Sequence, residues 1–480
     1  MQLEQLLKKH FGYPSFRPGQ KEVIEQLLNG RDTIALLPTG MGKSLCYQLP
    51  GYIFNMPVLI ISPLLSLMQD QVDQMKQFGE KRVVAINSFL NRKEKQHVLN
   101  HLHGYRFIFI SPEMLVQQQV MNRLNELDLA LIVVDEAHCI SQWGFDFRPD
   151  YLKIGEVFKE NRPPILALSA TATEKVLEDI RRFLMMKAPF EYIHSVDRPN
   201  IRFGKKVFQT KEEKMEWLLE HVSHTEGPGI IYTRSRKRTE ELASQLLERG
   251  VSVSSYHGGK EGEDRQFIQQ QFIEGSLEWI VATNAFGMGV HKENVRQIIH
   301  DTMPSNVADY MQEVGRAGRD GQDAIAILLY CDGDEEVARF IATEDLPNEN
   351  HIEWYEEYAN KNINPKEMIQ DGLISETTFR VLHYWMNLYS KEEVKGIFRQ
   401  MAGEKYRLVY EMLKVVKSDC CIREQLVHYF GQKLKEKPEH CCEHCGIDYQ
   451  RFLHPRKEFY TKHVNFNWQL RLRQILIGID

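Results

Sequence analysis

Two glycines, a lysine and a serine stand within five residues at 40–44, and an Asp-Glu pair ends an apolar run at 135–136. An anionic phosphate chain needs backbone N–H groups in a tight loop, a cation reaching its outer end and a hydroxyl for the accompanying metal ion. "TGMGKS" supplies all three. Thr39 opens the loop, Gly40 and Gly42 allow close backbone approach on either side of Met41, Lys43 brings the charge and Ser44 the hydroxyl. Leu37 holds the place of the first glycine in the usual G-x-x-x-x-G-K-[ST] pattern. In "LIVVDEAH", Asp135 at a strand end can hold Mg²⁺, and Glu136 can orient a water for attack on phosphorus. "SATAT" (169–173) ends another apolar run in hydroxyls, which either link the carboxylate loop to a neighbouring lobe or close a strand end.

A different chemistry is concentrated near the far end of the chain. Of eight cysteines, Cys420, Cys421, Cys441, Cys442 and Cys445 fall within 26 residues. In a reducing compartment such a cluster points to a metal rather than to disulfides.

The elements that must carry these residues form two series. "VLIIS" (58–62), "FIFIS" (107–111), "LALIVVDE" (129–136) and "ILALSATAT" (165–173) make the first. "GIIYT" (229–233), "WIVAT" (279–283), "QIIH" (297–300) and "AIAILLY" (324–330) make the second. Continuous hydrophobicity suits strands buried on both faces, so each series predicts a parallel sheet covered by helices. At 480 residues the chain exceeds one core, and 42% hydrophobic with 26% charged residues is a globular composition. The expected division is 1–203, 204–345, a helix-rich region 346–450, and a basic aromatic tail 451–480 with six Lys/Arg against two acids. A formal net charge of −6 argues against a general nucleic-acid sponge but leaves room for a local basic groove. Charges at Glu4, Lys8 and Lys9 interrupt any signal-peptide core, and no run approaches the ~18 apolar residues of a membrane span. The expected location is therefore cytoplasmic, with no membrane partner.

Taken together these motifs resemble helicase superfamily 2, and more closely the RecQ family of DNA helicases. The resemblance implies an α/β fold of two RecA-like parallel-sheet lobes followed by a mostly helical zinc-binding region. In "FGYPSFRPGQ" it implies Tyr13 and Arg17 near an adenine, with Gln20 bonded to the base edge. "SPLLSLMQDQV" resembles the motif that touches the DNA backbone, beginning at Ser62. "CISQWGFDFRPDY" resembles the family's aromatic-rich loop, with Trp143, Phe147 and Arg148 against exposed bases; Phe145 stands where the family usually has His. "YMQEVGRAGRDG" implies Gln312 near the attacking water, and Arg316 and Arg319 at the γ-phosphate. In "ATNAFGMGVHKENVR", Thr283 and Asn284 are expected on phosphodiester oxygens, and His291 stands where the family has Asp or Asn.

"DCCIREQLVHYFG" and "HCCEHCG" resemble the family's zinc segment. That implies Zn²⁺ on Cys421, Cys441, Cys442 and Cys445, with Cys420, His440 and His444 as alternative ligands. Only 35 residues follow Cys445, too few for the winged-helix and helical domains that many family members carry. The function implied is an ATP- and Mg²⁺-dependent DNA helicase moving 3′ to 5′ on single-stranded or tailed DNA in repair or recombination. An ATP-gated clamp without strand separation and an RNA helicase are the alternatives.

Overall fold

Among the described residues thirteen strands form two sheets, and every strand pair is parallel. The structure is a computed structural model, describing residues 3–63, 65–87, 90–141, 148–158, 162–286 and 292–456. The first sheet contains β1 (Thr33–Leu36), β2 (Val58–Ile61), β3 (Val83–Ile86), β4 (Phe107–Ile110), β5 (Leu131–Val134), β6 (Ile165–Ser169) and β7 (Phe190–Ile193). Its order is β3-β4-β2-β5-β6-β1-β7. The second contains β8 (Ile201–Phe208), β9 (Gly229–Tyr232), β10 (Val253–Tyr256), β11 (Trp279–Ala282), β12 (Gln297–His300) and β13 (Ala324–Cys331), ordered β10-β11-β9-β12-β13-β8.

Inner strands such as β2, β4, β5 and β13 are buried along their whole length, because helices cover both faces. The second sheet begins at Ile201 rather than at 204. Ile201 and Phe203 are core residues paired with Ala324 and Ala326, so the division expected at 203 would cut β8.

The region after 345 is helical among the described residues, but it is not one unit. Helices Glu349–Asn360 and Glu376–Met386 and the start of the long helix Lys391–Lys417 enclose their own core around Ile352, Leu382, Trp385 and Val394. The far end of that long helix joins the second lobe, where Val409, Met412, Val415 and Val416 share one apolar cluster with Ile298 and Ala326. Residues 451–456, expected as tail, also pack on the second lobe. Phe452 is buried there, and the Arg456 amide donates to the His224 carbonyl at 2.7 Å. Its aromatic and aliphatic side chains have a sheet face to cover. The remainder of the expected tail lies outside the described residues. No helix among them is long and apolar enough to cross a membrane.

Candidate active site and metal centre

β1 runs beside β6, with Leu36 paired to Ser169, and the Leu37 amide donates to the Ser169 carbonyl at 3.0 Å. Leu37 is fully buried in the sheet's core, so the place of the missing glycine is a packing position. The turn follows it. Gly40 and Gly42 have φ of 87° and 71°, a left-handed conformation that costs a residue with a Cβ about 1–2 kcal/mol. A Cβ on Gly42 would also lie 2.8 Å from Gln20 Nε2. Ser44 stands at the N-terminal end of the helix Leu45–Phe54 that leaves the loop, with no capping bond from its side chain.

Gln20 is buried and holds the loop itself. Its amide nitrogen donates to the carbonyls of Met41 (2.9 Å) and Gly42 (3.1 Å), and its oxygen accepts from the Arg17 amide (2.9 Å). The Arg17 guanidinium donates to the Gly40 carbonyl, while Tyr13 stands exposed. The carboxamide expected to read a base is thus engaged with backbone carbonyls.

Asp135 and Glu136 follow β5, anchored by the Asp135 amide on the Ile61 carbonyl at 2.8 Å. Burial, reinforced by the Glu136 carboxylate, pushes the Asp135 carboxyl above the usual range. Glu136 has a φ of 46°, unusual for a residue with a Cβ, and its Oε1 lies 3.9 Å from Lys43 Nζ. That ammonium is buried and has no hydrogen-bond partner among the described residues. A buried cation left so is costly, and a phosphate oxygen is the partner it suits. His138 Nδ1 lies 3.0 Å from Ser169 Oγ and 3.3 Å from Glu136 Oε2. Ser169 therefore ties the end of β6 to the carboxylate loop of its own lobe, while Thr171 faces Met311 and Gln312 of the second lobe across a small cavity.

On the second lobe, helix Val307–Val314 carries Gln312, whose amide nitrogen is buried without a partner among the described residues. Gly315 follows, and there the lobes touch. Thr39 Oγ1 donates to its carbonyl at 3.2 Å, and a Cβ on Gly315 would lie 2.8 Å from that hydroxyl. Arg319 rests on the phosphate loop, with its Cγ 3.2 Å from where a Gly40 Cβ would be. Burial and the adjacent Arg316 cation lower the Arg319 pKa to about 10, which leaves it charged at neutral pH. Behind them Glu313 is held by His300 (2.8 Å) and Arg234 (3.6 Å). A cavity of about 390 Å³ separates the lobes, lined by Glu136, His138, Arg234, Gln312 and Arg316, with Lys405 and Leu408 reaching it from the third region.

The sulfurs of Cys421, Cys441, Cys442 and Cys445 all lie within 4.8 Å of one another. Cys421 Sγ is 3.7 Å from Cys441 Sγ and 3.8 Å from Cys442 Sγ. A tetrahedral metal with metal–sulfur bonds of about 2.3 Å requires sulfurs about 3.8 Å apart, so the four thiols fit a closed metal centre. Cys420 is exposed and outside the cluster, and His440 Nδ1 is bonded to the Gly446 carbonyl at 2.8 Å. The choice of Cys421 over these alternatives is therefore geometric.

Residues 17–180 match the DEAD/DEAH box helicase family, and residues 213–321 match the helicase conserved C-terminal domain. The chain is 42% identical over 457 residues to the probable ATP-dependent DNA helicase RecS of Bacillus subtilis, covering 93% of this chain and 92% of that one. It is 43% identical to the ATP-dependent DNA helicase RecQ of Pasteurella multocida over 94% of this chain but only 62% of that longer protein. The chain belongs to the RecQ family of ATP-dependent DNA helicases. Among solved structures, the DUF1998 helicase MrfA bound to DNA shares the fold, with a TM-score of 0.59 at 20% identity over 76% of this chain and 55% of that one.

Along the cleft of this RecQ-family helicase, Arg148 donates to the Pro63 carbonyl at 3.2 Å, beside the start of the Ser62 motif. Ser62 itself is buried, with a hydroxyl that has no partner among the described residues. Thr283 is half-buried and its hydroxyl accepts from the Ala285 amide at 3.4 Å; Asn284 is exposed at the cleft. Trp143, Phe145, Phe147 and His291 lie outside the described residues. Arg198 was not singled out by the sequence. It follows Asp197 in a stretch that reads as a linker, yet it reaches three carbonyls of the arginine loop.

Proposed function

We propose that this helicase couples ATP hydrolysis to 3′-to-5′ movement along single-stranded DNA, acting in the cytoplasm in repair or recombination. Bound Mg²⁺–ATP supplies the electrophilic phosphorus and the leaving group. Lys43 neutralises the outer phosphates; Ser44 and Asp135 would hold the magnesium; Glu136 aligns the attacking water, assisted by Gln312. Arg316 and Arg319 offset the charge that spreads over the transferring phosphoryl group. Trp143, Phe147, Arg148, Ser62, Thr283 and Asn284 contact the strand, and Zn²⁺ occupies the four thiolates in a structural role.

One juxtaposition carries the reading. A lysine ammonium buried without a hydrogen bond among the described residues and two carboxylates on one lobe meet an arginine that the other lobe lays against the same loop. The site is then complete only when the lobes are closed, and hydrolysis lets them part. The test is ATPase and strand displacement on 3′-tailed DNA, 5′-tailed DNA and RNA duplexes. DNA-stimulated hydrolysis with displacement from the 3′ tail is expected. Stimulation without displacement identifies a clamp, and preference for RNA overturns the DNA reading.

A further inference from the structure

The connector between the lobes, residues 194–200, is gripped from two sides. From one side comes helix Ile422–Tyr429, which starts at Cys421. Arg423 on this helix is fully buried, and its guanidinium donates to the Asp197 carboxylate and to the carbonyls of Arg198 (3.0 Å) and Ile201. Gln432, just beyond the helix, accepts from the Val196 amide at 3.0 Å and donates to the His194 carbonyl at 3.2 Å. These bonds fix the connector's backbone on both sides of Asp197.

From the other side the connector reaches into the arginine loop. Arg198 donates to the carbonyls of Gly315 (3.3 Å), Ala317 (3.3 Å) and Gly318 (2.7 Å), and the Asn200 side-chain amide donates to Gly318 at 2.9 Å. Those three carbonyls bracket Arg316 and immediately precede Arg319. Moving the Arg198 backbone therefore moves both arginines relative to the phosphate loop. A misplacement of about 1 Å at a transferring group costs on the order of 100-fold in rate.

We infer that Arg423, seconded by Gln432, is a positioning residue for ATP hydrolysis: through the connector and Arg198 it sets the arginine loop from a helix 107 residues beyond Arg316. The inference rests on the catalytic reading of Arg316 and Arg319. The rigid guanidinium fork is what the geometry uses, because one planar group satisfies a carboxylate and two carbonyls together. A lysine keeps the charge and loses the fork.

The experiment compares Arg423→Lys, Gln432→Ala, Arg198→Lys and the Arg423→Lys/Arg198→Lys double variant in the full chain with saturating single-stranded DNA. It records kcat and KM for ATP, binding of a fluorescent ATP analogue and metal content per chain. Arg423→Lys should lower kcat about 10- to 100-fold, with KM, analogue binding and metal content held within about twofold. Gln432→Ala should lower kcat less, and the double variant should lose no more than its worse single parent. An unchanged kcat, a fall matched by lost metal or raised KM, or additive losses overturns the inference. If Arg423→Lys does not fold, Gln432→Ala decides alone. Arg319→Ala is measured alongside. If it keeps its kcat, the arginine reading fails and takes this inference with it. If it loses kcat while Arg423→Lys and Gln432→Ala keep theirs, only the positioning role fails.

Discussion

On the first lobe, Lys43, Glu136, His138 and Ser169 are placed by loops leaving β1, β5 and β6, which lie side by side in one sheet. On the second, Arg316 and Arg319 sit in a loop whose carbonyls are held by the connector, which is itself held by a helix of the cysteine region. The first face is held by contacts within its own lobe, from the sheet and from Arg17 and Gln20, and the second depends on three segments distant in sequence. On the proposed function, nucleotide binding is then a property of one lobe, whereas turnover requires the whole assembly.

The third region shows a matching asymmetry. Toward the second lobe it buries Met412, Val415 and Val416 in a shared core. Toward the first it offers two partly exposed ion pairs, Arg380 with Glu113 at 2.8 Å and Glu404 with Lys175 at 3.5 Å, and the half-buried Tyr384, which packs on that lobe's core with Lys153 over its ring. Ion pairs of this kind contribute about 0.2–1 kcal/mol each. The helical region is thus expected to travel with the second lobe.

The largest effect should come from the self-contained face. Lys43→Ala should abolish hydrolysis, by at least about 1000-fold, and should also weaken binding of a fluorescent ATP analogue. Retained turnover would break the comparison at its root. Gly315→Ala is the sharper probe, since its methyl would press on Thr39, where the phosphate loop meets the arginine loop, and part the lobes while leaving every charged side chain of the site in place. Turnover should fall about 10- to 100-fold while analogue binding stays within a few-fold; equal losses of both would place binding on the two lobes jointly. The smallest effect separates the flanks of the third region. Arg380→Ala should change stability by no more than about 1 kcal/mol, whereas Met412→Ala should cost about 2–5 kcal/mol in denaturant titration. Comparable values would mean that the region belongs to both lobes equally.

The inner strands were legible because burial on both faces leaves continuous apolar runs such as "FIFIS" and "AIAILLY". The edge strands β3, β7, β8 and β10 were not. Each shows a partly open face, and β8 carries Lys205 and Lys206 among its apolar residues, which reads as a linker. β1 escaped as well, since four residues run straight into the phosphate loop. The four thiols came from the resemblance to the family's zinc segment, which already favoured Cys421 over Cys420, and the side-chain positions agree with that choice. The roles of Arg198 and Arg423 are contacts across more than 100 residues, and no local pattern carries such information. Gln20 was singled out by the resemblance, but its bonds to the Met41 and Gly42 carbonyls join segments about twenty residues apart, and no local pattern shows them.

That side chain ties the stretch expected to meet a base to the turn expected to hold the phosphates. A carboxamide owns two hydrogens, and in Gln20 both are spent on the Met41 and Gly42 carbonyls. A purine ring nitrogen that asks for one of them must displace a carbonyl of the turn that cradles the phosphates. If Gln20 reads a base edge as the resemblance implies, binding the base and reshaping the cradle become one exchange of hydrogen bonds.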